Sequence, residues 1–454
     1  MTTLDDDQDT APDTPWFLRG NFAPVDDELT VTDLAVTGAI PPSLSGRYLR
    51  NGSNPKAGNP SHWFFGDGMV HGIRLEGGRA AWYRNRWVRT TKLEQGLDQM
   101  ASIFDPTASA ANTHVLAHAG RIWALEEQHL PYELTPELDT VGPDDFDGRL
   151  RTAFTAHPKR CPRTGELHVF GYSAVAPHLT YHVLDAAGAL VHSAPITVPG
   201  GTMMHDFMIT ERHAVFMDLP VVFDFSRRDG GGPLRWSDTY GARVGIVPRF
   251  GTDAEVRWFE VEPCYVFHPL NAWTEGDEVV CDVGRHPHMW RDSMQDAPPA
   301  VLHRWRFDLA TGAVREEQLD DAPHALPRVD ERVVGGRHRY GWAVAASEPG
   351  GRPLTGDPGA LVKWDLQTGA KHVVDVGPGR FPGEFVFVPE HDGAGEDEGW
   401  VIGIVHDEAD DRSDLVICDA SSPGAAPVAR VHLPRRVPYG FHGSWIDDRE
   451  LASP

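Results

Sequence analysis

The chain has 454 residues, with 41 Lys and Arg against 66 Asp and Glu, a formal charge of −25 before its 23 histidines are counted. That acidic surplus excludes a nucleic-acid partner, whose phosphates are bound by clustered cations, and disfavours anionic lipid surfaces for the same reason. Hydrophobic residues at 41% and 14 tryptophans suffice for a large core, while 46 Gly and 37 Pro break the chain too often for long helices, so global disorder and an all-α fold are both out.

Residues 1–15, MTTLDDDQDTAPDTP, are acidic and polar, without the cationic start and apolar run of a signal peptide; a disordered tail is expected there. From about residue 16 to 454 one texture recurs without a linker, which predicts a single domain. Runs of five to eight apolar or alternating residues end in Gly, Pro, Asp or Asn turns: RIWALEE, LPYELTPELDTVG, GELHVFGYS, LTYHVLDAAGALVHSAPITV, HAVFMDLPVVFDF, and later DEVVCDVG, GWVIGIVHD and SDLVICDA. WRFDLATGAVREE and VKWDLQTGAKHVV are near repeats, each an aromatic strand, Asp-Leu, a Thr-Gly turn and a return strand. Hairpins repeated at this length, with no amphipathic helices between them, predict an all-β propeller over a sandwich or a parallel α/β fold.

No run approaches the roughly 18 apolar residues of a membrane span. Cys161, Cys264, Cys281 and Cys418 form no CxxC pair, so a reducing cytosol and a cytoplasmic location are expected. Asn51-Gly52 predicts a turn.

HExxH, P-loop and nucleophile-elbow motifs are absent, which removes the usual support for hydrolase and nucleotide readings. The spacings His114/His118 and His178/His182 would align on a helix, but both pairs fall in strand-like segments, and His286 and His288 in GRHPHMW suit a loop. Four others share a different setting. His157, His205, His268 and His442 each follow an apolar or small-residue approach, three of them ahead of a turn and a β-run. One histidine at the head of an inner strand in several blades would surround a single axial point. Spacing alone leaves four unrelated histidines as the competing explanation.

At these residues the chain resembles the carotenoid cleavage oxygenase family, which includes apocarotenoid oxygenases, stilbene-cleaving dioxygenases and a retinoid isomerase. The likeness runs from LSGRYLRNGSNP and HWFFGDGMVHGIRL through NRWVRT, ANTHVLAHAGRIWALEE and TAHPKRCPRTGEL to VPYGFHGSW. It implies a seven-bladed β-propeller with active-site loops over an axial iron, one Fe(2+) per chain, held by His157, His205, His268 and His442. It also implies glutamates that orient the ligand histidines, matched here by Glu126 and Glu384; the third would fall where the chain reads Ala325-Leu326-Pro327. Four neutral imidazoles suit a divalent first-row metal, and each needs an acceptor on its outer nitrogen.

The activity implied is cleavage of a C=C bond of a carotenoid or apocarotenoid by O2, giving two carbonyl products. Stilbene-type members activate a 4-hydroxyl through a Lys just before the first of these glutamates and a Tyr slightly upstream. Here Leu125 precedes Glu126 and residues 91–120 contain no Tyr, so a polyene beside Leu125 is favoured over a stilbenoid. A propeller that binds carotenoids without cleaving them is the alternative raised by the missing glutamate, and isomerisation is a third reading. The expected partners are a small apolar polyene and O2, with at most weak peripheral membrane contact through PVVFDF.

Overall fold

The computed structural model describes residues 14–452 apart from 57, 59, 227–232, 294–295 and 347–355, and the side chains of 100 and 356–359 are likewise not described. Nearly all of the expected tail at 1–15 therefore lies outside the described residues. Trp16 already packs edge-on against Phe22 and Trp63.

Seven antiparallel sheets of four or five strands follow one another along the chain, with one added two-stranded ribbon, Val221–Phe223 with Leu234–Trp236. Blade 1 is built on Gly46–Ser53, Gly68–Glu76 and Arg79–Trp87. Blades 2 to 7 begin at His114–His118, Lys159–Arg160, Phe207–Ile209, Tyr265–Glu275, His324–Arg328 and Arg380–Pro389, and within each the strands pair in chain order outward. This is the seven-bladed β-propeller implied by the resemblance.

Central strands are buried on both faces, as in Leu167–Tyr172 and Leu179–Leu184, while outer strands such as Leu190–Pro195 alternate. Large rings fill the spaces between and within blades, Trp123, Trp305, Tyr181 and Phe216 among them, all fully buried. Truncating any one to Ala would cost about 3–5 kcal/mol. The near-repeat hairpins are the outer two strands of blades 5 and 6. In both, the Asp at the strand end accepts backbone N–H bonds across the turn: Asp308 from Ala310 and Thr311, Asp365 from Gln367 and Thr368.

Both ends of the chain close the ring. The last strand, Gly443–Asp447, pairs with Gly46–Ser53 as the innermost strand of blade 1, and Val36–Gly38 pairs with Ala429–His432 on the outside of blade 7. Asn51-Gly52 is not a turn. It lies inside Gly46–Ser53, where a Cβ on Gly52 would sit 2.9 Å from the Gly440 Cα and where Asn51 Nδ2 donates to the Ala111 and His114 carbonyls. The glycine serves the close approach of the closing segment, a long-range demand that mimics a local turn signal.

Three innermost strands carry a proline and a register shift together: Pro269 in blade 5, Pro327 in blade 6 and Pro382 in blade 7. An inner strand is a sheet edge, where a missing N–H costs no ladder bond, and the bulge re-aims neighbouring side chains. The axis is where those side chains converge.

Candidate metal centre

His157 and His205 stand just ahead of the first strands of blades 3 and 4, His268 sits in the bulged strand of blade 5, and His442 directly precedes the closing strand. All four are buried, and one nitrogen from each lies within 4.8 Å of the others. His157 Nε2 is 2.9 Å from His205 Nε2, which is 3.2 Å from His268 Nε2. Ring centroids of His442 fall 4.5 and 4.8 Å from those of His157 and His268.

The outer nitrogens show what this packing demands. His442 Nδ1 faces Glu384 Oε1 at 2.8 Å, and Glu384 Oε2 accepts from the Gly443 N–H at 2.8 Å and Arg328 at 3.2 Å. Burial alone would raise the Glu384 carboxyl, but Arg328 and His442 outweigh it and pull the group down to about 2. His205 Nδ1 lies 2.6 Å from Glu127 Oε1, with the oxygen off the N–H axis, so the contact is a close charge approach more than an aligned hydrogen bond. Glu127 also accepts the Tyr172 hydroxyl. With Nδ1 protonated toward a carboxylate, His205 and His442 each present an Nε2 lone pair to the axis, and His205 Nε2 has two further ring nitrogens at 2.9 and 3.2 Å, a crowding that a cation shared among them would relieve. Burial and the neighbouring imidazoles push the pKa of His157 and of His268 well below the ordinary value, which keeps both neutral. The donor set therefore fits a divalent metal ion held by nitrogen.

Two expectations need correction. Glu126 does not face a cluster histidine: its carboxylate pairs with His129 Nδ1 at 2.6 Å, and Glu127, one residue on, is the group beside His205. The strand Arg121–Leu125 ends before the pair, so strand alternation no longer decides which glutamate turns inward. Leu125 does not line a substrate space. It is fully buried in a cluster with Leu116, Trp123 and Phe154. Glu384 faces His442. Ala325 leaves His268 without a carboxylate among the described residues, while Asp206 brings Oδ2 to 3.6 Å from His157 Nδ1 and is held through Oδ1 by Lys159 at 2.7 Å. Glu127 and Asp206 were missed; the Glu-Glu doublet was the one available signal for the first, and for the second the Asp directly after His205.

The remaining histidines play other parts. His114 lies beside the cluster, its ring 5.4 Å from that of His442, but its Nδ1 faces the Ala156 carbonyl at 2.9 Å and its Nε2 the Ser444 hydroxyl at 3.2 Å. His118, His182 and His286 likewise face hydrogen-bonding groups of the protein, and His288 pairs with Asp296.

The cluster separates two cavities. One, of about 950 Å³, runs on the polar side past His114, Lys159, Asp206 and Arg328. The other, of about 790 Å³, reaches His205, His268 and His442 between Phe64, Phe223, Phe267, Leu326 and Phe441. Ile103, Phe104, Val175 and Phe225 also line it yet are 49%, 89%, 71% and 62% exposed, so its outer end is an apolar rim. No helix among the described residues is long and apolar enough to cross a membrane.

A buried four-imidazole centre on the axis of a seven-bladed propeller, met by an apolar cavity, defines a class of metal-dependent propeller. The chain belongs to the retinal pigment epithelial membrane protein family, that of the carotenoid cleavage oxygenases, whose model matches residues 22–447. It is 42% identical to a carotenoid cleavage oxygenase of Mycobacterium tuberculosis over 94% of this chain and 97% of that one. To a carotenoid 9,10(9',10')-cleavage dioxygenase of Crocus sativus it is 36% identical over 96% and 90%. Among solved structures, a Pseudomonas brassicacearum lignostilbene dioxygenase superposes with a TM-score of 0.87 at 30% identity, covering 97% of this chain and 100% of that one. The cobalt-substituted apocarotenoid oxygenase of Synechocystis gives 0.82 at 28%, covering 93% and 97%.

Proposed function

We propose that this protein is an Fe(II)-dependent dioxygenase that cleaves one C=C bond of a carotenoid or apocarotenoid with O2 to give two carbonyl products, with His157, His205, His268 and His442 holding the metal. The observation that carries this reading is the apolar cavity ending on three of the four histidines. Its volume, about 790 Å³, lies within the range of small-molecule sites. Bound iron would supply the electrons that activate O2. The chain's own residues do the rest. Glu127 and Glu384 fix the orientation of His205 and His442, and the Arg328 guanidinium keeps Glu384 ionised so that it accepts from the ring. Phe64, Phe267 and Phe441 shed water from the reacting end and present flat surfaces to a rod-shaped polyene, which loses little entropy on being aligned.

The case against a stilbenoid survives the correction of the glutamate. The residue just before Glu127 is Glu126, whose negative charge would disfavour a phenolate where a Lys would favour one. Iron-replete protein incubated in air with apocarotenals, full-length carotenoids and hydroxystilbenes, with products identified by mass, tests the proposal. Paired aldehydes or ketones from a polyene are expected. Iron-loaded protein inactive on every polyene would refute it, and binding without O2 uptake would favour the non-cleaving alternative.

A further inference from the structure

An ion pair inside an apolar cavity is expensive and needs a reason. Glu126 and His129 form one on the wall of the apolar cavity, at 13% and 15% side-chain exposure for the histidine and the glutamate. His129 is used up: Nδ1 faces Glu126 Oε2 at 2.6 Å and Nε2 faces the Ser102 carbonyl at 3.1 Å. A carbonyl only accepts, so Nε2 carries a proton, and Nδ1 carries another toward the carboxylate. The ring is a cation; burial opposes that charge, but Glu126 and the Ser102 carbonyl overcome the opposition and raise the histidine pKa.

Glu126 is not used up. Oε2 takes the imidazolium and Oε1 takes the Gln128 N–H at 3.0 Å, which leaves about two of the four lone-pair directions of a carboxylate for a donor in the cavity. A hydrocarbon end group offers no donor, and an aldehyde or ketone oxygen offers only lone pairs of its own. A hydroxyl fits. The position is also informative, because Glu127 next in the chain touches His205, and consecutive Cα atoms are about 3.8 Å apart. The acceptor therefore sits on the cavity wall beside the residue that faces His205, while His129, which holds it, reaches the carbonyl of Ser102 just ahead of Ile103 at the rim.

We propose that Glu126, fixed by His129, is a hydroxyl-binding subsite of the substrate cavity, so that the preferred polyene carries a ring hydroxyl. This rests on the carotenoid-cleavage reading, and the test separates the two. Holoenzyme without O2 is titrated with two apocarotenals of equal polyene length, one with and one without a ring hydroxyl, following quenching of tryptophan fluorescence; cleavage in air is measured in parallel. A hydrogen bond to a charged group predicts about 10- to 100-fold tighter binding of the hydroxylated compound. In Glu126→Gln and Glu126→Leu that ratio should fall toward unity, with metal content and thermal melting confirming intact protein. Equal binding by the unaltered protein, or a ratio that survives Glu126→Leu, overturns the subsite even if both compounds are cleaved. A ratio lost in the variants without cleavage by any of them keeps the subsite and refutes the dioxygenase reading, and failure to bind either compound refutes both.

Discussion

Two adjacent glutamates with opposite assignments make a sharp experiment. Glu127→Gln removes the charge that lies 2.6 Å from His205 Nδ1, whereas Glu126→Gln removes one that faces His129. Loss of such an outer partner typically costs about 10–100-fold in metal affinity, or about 1.4–2.7 kcal/mol. Because the Glu127 oxygen lies off the N–H axis, and Tyr172 already shares that carboxylate, the lower part of the range is expected. Competition for Fe(II) or Co(II) against a chelator of known affinity, read as metal per chain at equilibrium, gives the number directly. Glu127→Gln should lose close to tenfold and Glu126→Gln close to nothing. The reverse order would return Glu126 to the metal centre and refute the geometry argued from the strand end at Leu125.

Three more expectations follow from the same structure. His157→Ala and His268→Ala should each drop metal content from near one equivalent to near zero while the melting profile of the blades persists. Stability should decline as pH falls below about 6.5, since His71, fully buried against Tyr83, has a pKa pushed well below the ordinary value by burial and the nearby arginines, so only the unfolded chain takes up its proton. His182 and His324, each lowered to about 4 by burial, add to the effect, and His71→Gln should remove about 1.2 kcal/mol per pH unit from the slope measured by denaturant unfolding between pH 6 and 5. Co-sedimentation with neutral liposomes should be weak, and weaker still in Phe104→Ser/Phe225→Ser; recovery of most of the protein with the lipid at physiological salt would contradict the low affinity expected of so small a rim.

Much of the architecture was legible because it is periodic. Strand runs, Asp-Leu-x-Thr-Gly turns and four histidines ahead of strands are local patterns, and the ring follows from repeating them. Failures came where parity or distance decided. Strand alternation ends at Leu125, so nothing local distinguishes Glu126 from Glu127 or announces that Leu125 belongs to the interior of a blade. Asn51-Gly52 reads as a turn until Gly440, almost four hundred residues on, is seen against it. Asp206 directly follows a cluster histidine, but its partner, Lys159, belongs to another blade, and no local pattern announces the pair.

Counting charge around the axis gives the absent third glutamate a meaning. Glu384 is matched by Arg328, whose other partner, Glu331, is half exposed to solvent and left out of the count, and Asp206 by Lys159, both cations reaching in from the polar cavity. Among the described residues, Glu127 has the Tyr172 hydroxyl and the histidine it faces, and no cation. The immediate surroundings of the four imidazoles thus carry about one net negative charge, and a divalent ion would leave about one positive. A glutamate at position 325 would cancel even that, which predicts tighter metal retention in Ala325→Glu, by about tenfold or more if the new carboxylate reaches His268. By the role proposed for bound iron, the same substitution would make it a readier donor of electrons, so turnover per bound metal should rise along with retention. Chelator competition and turnover measured on one preparation separate the two effects. If retention and turnover are both unchanged, His268 draws nothing from that position, and the charge count is not what sets the site's behaviour.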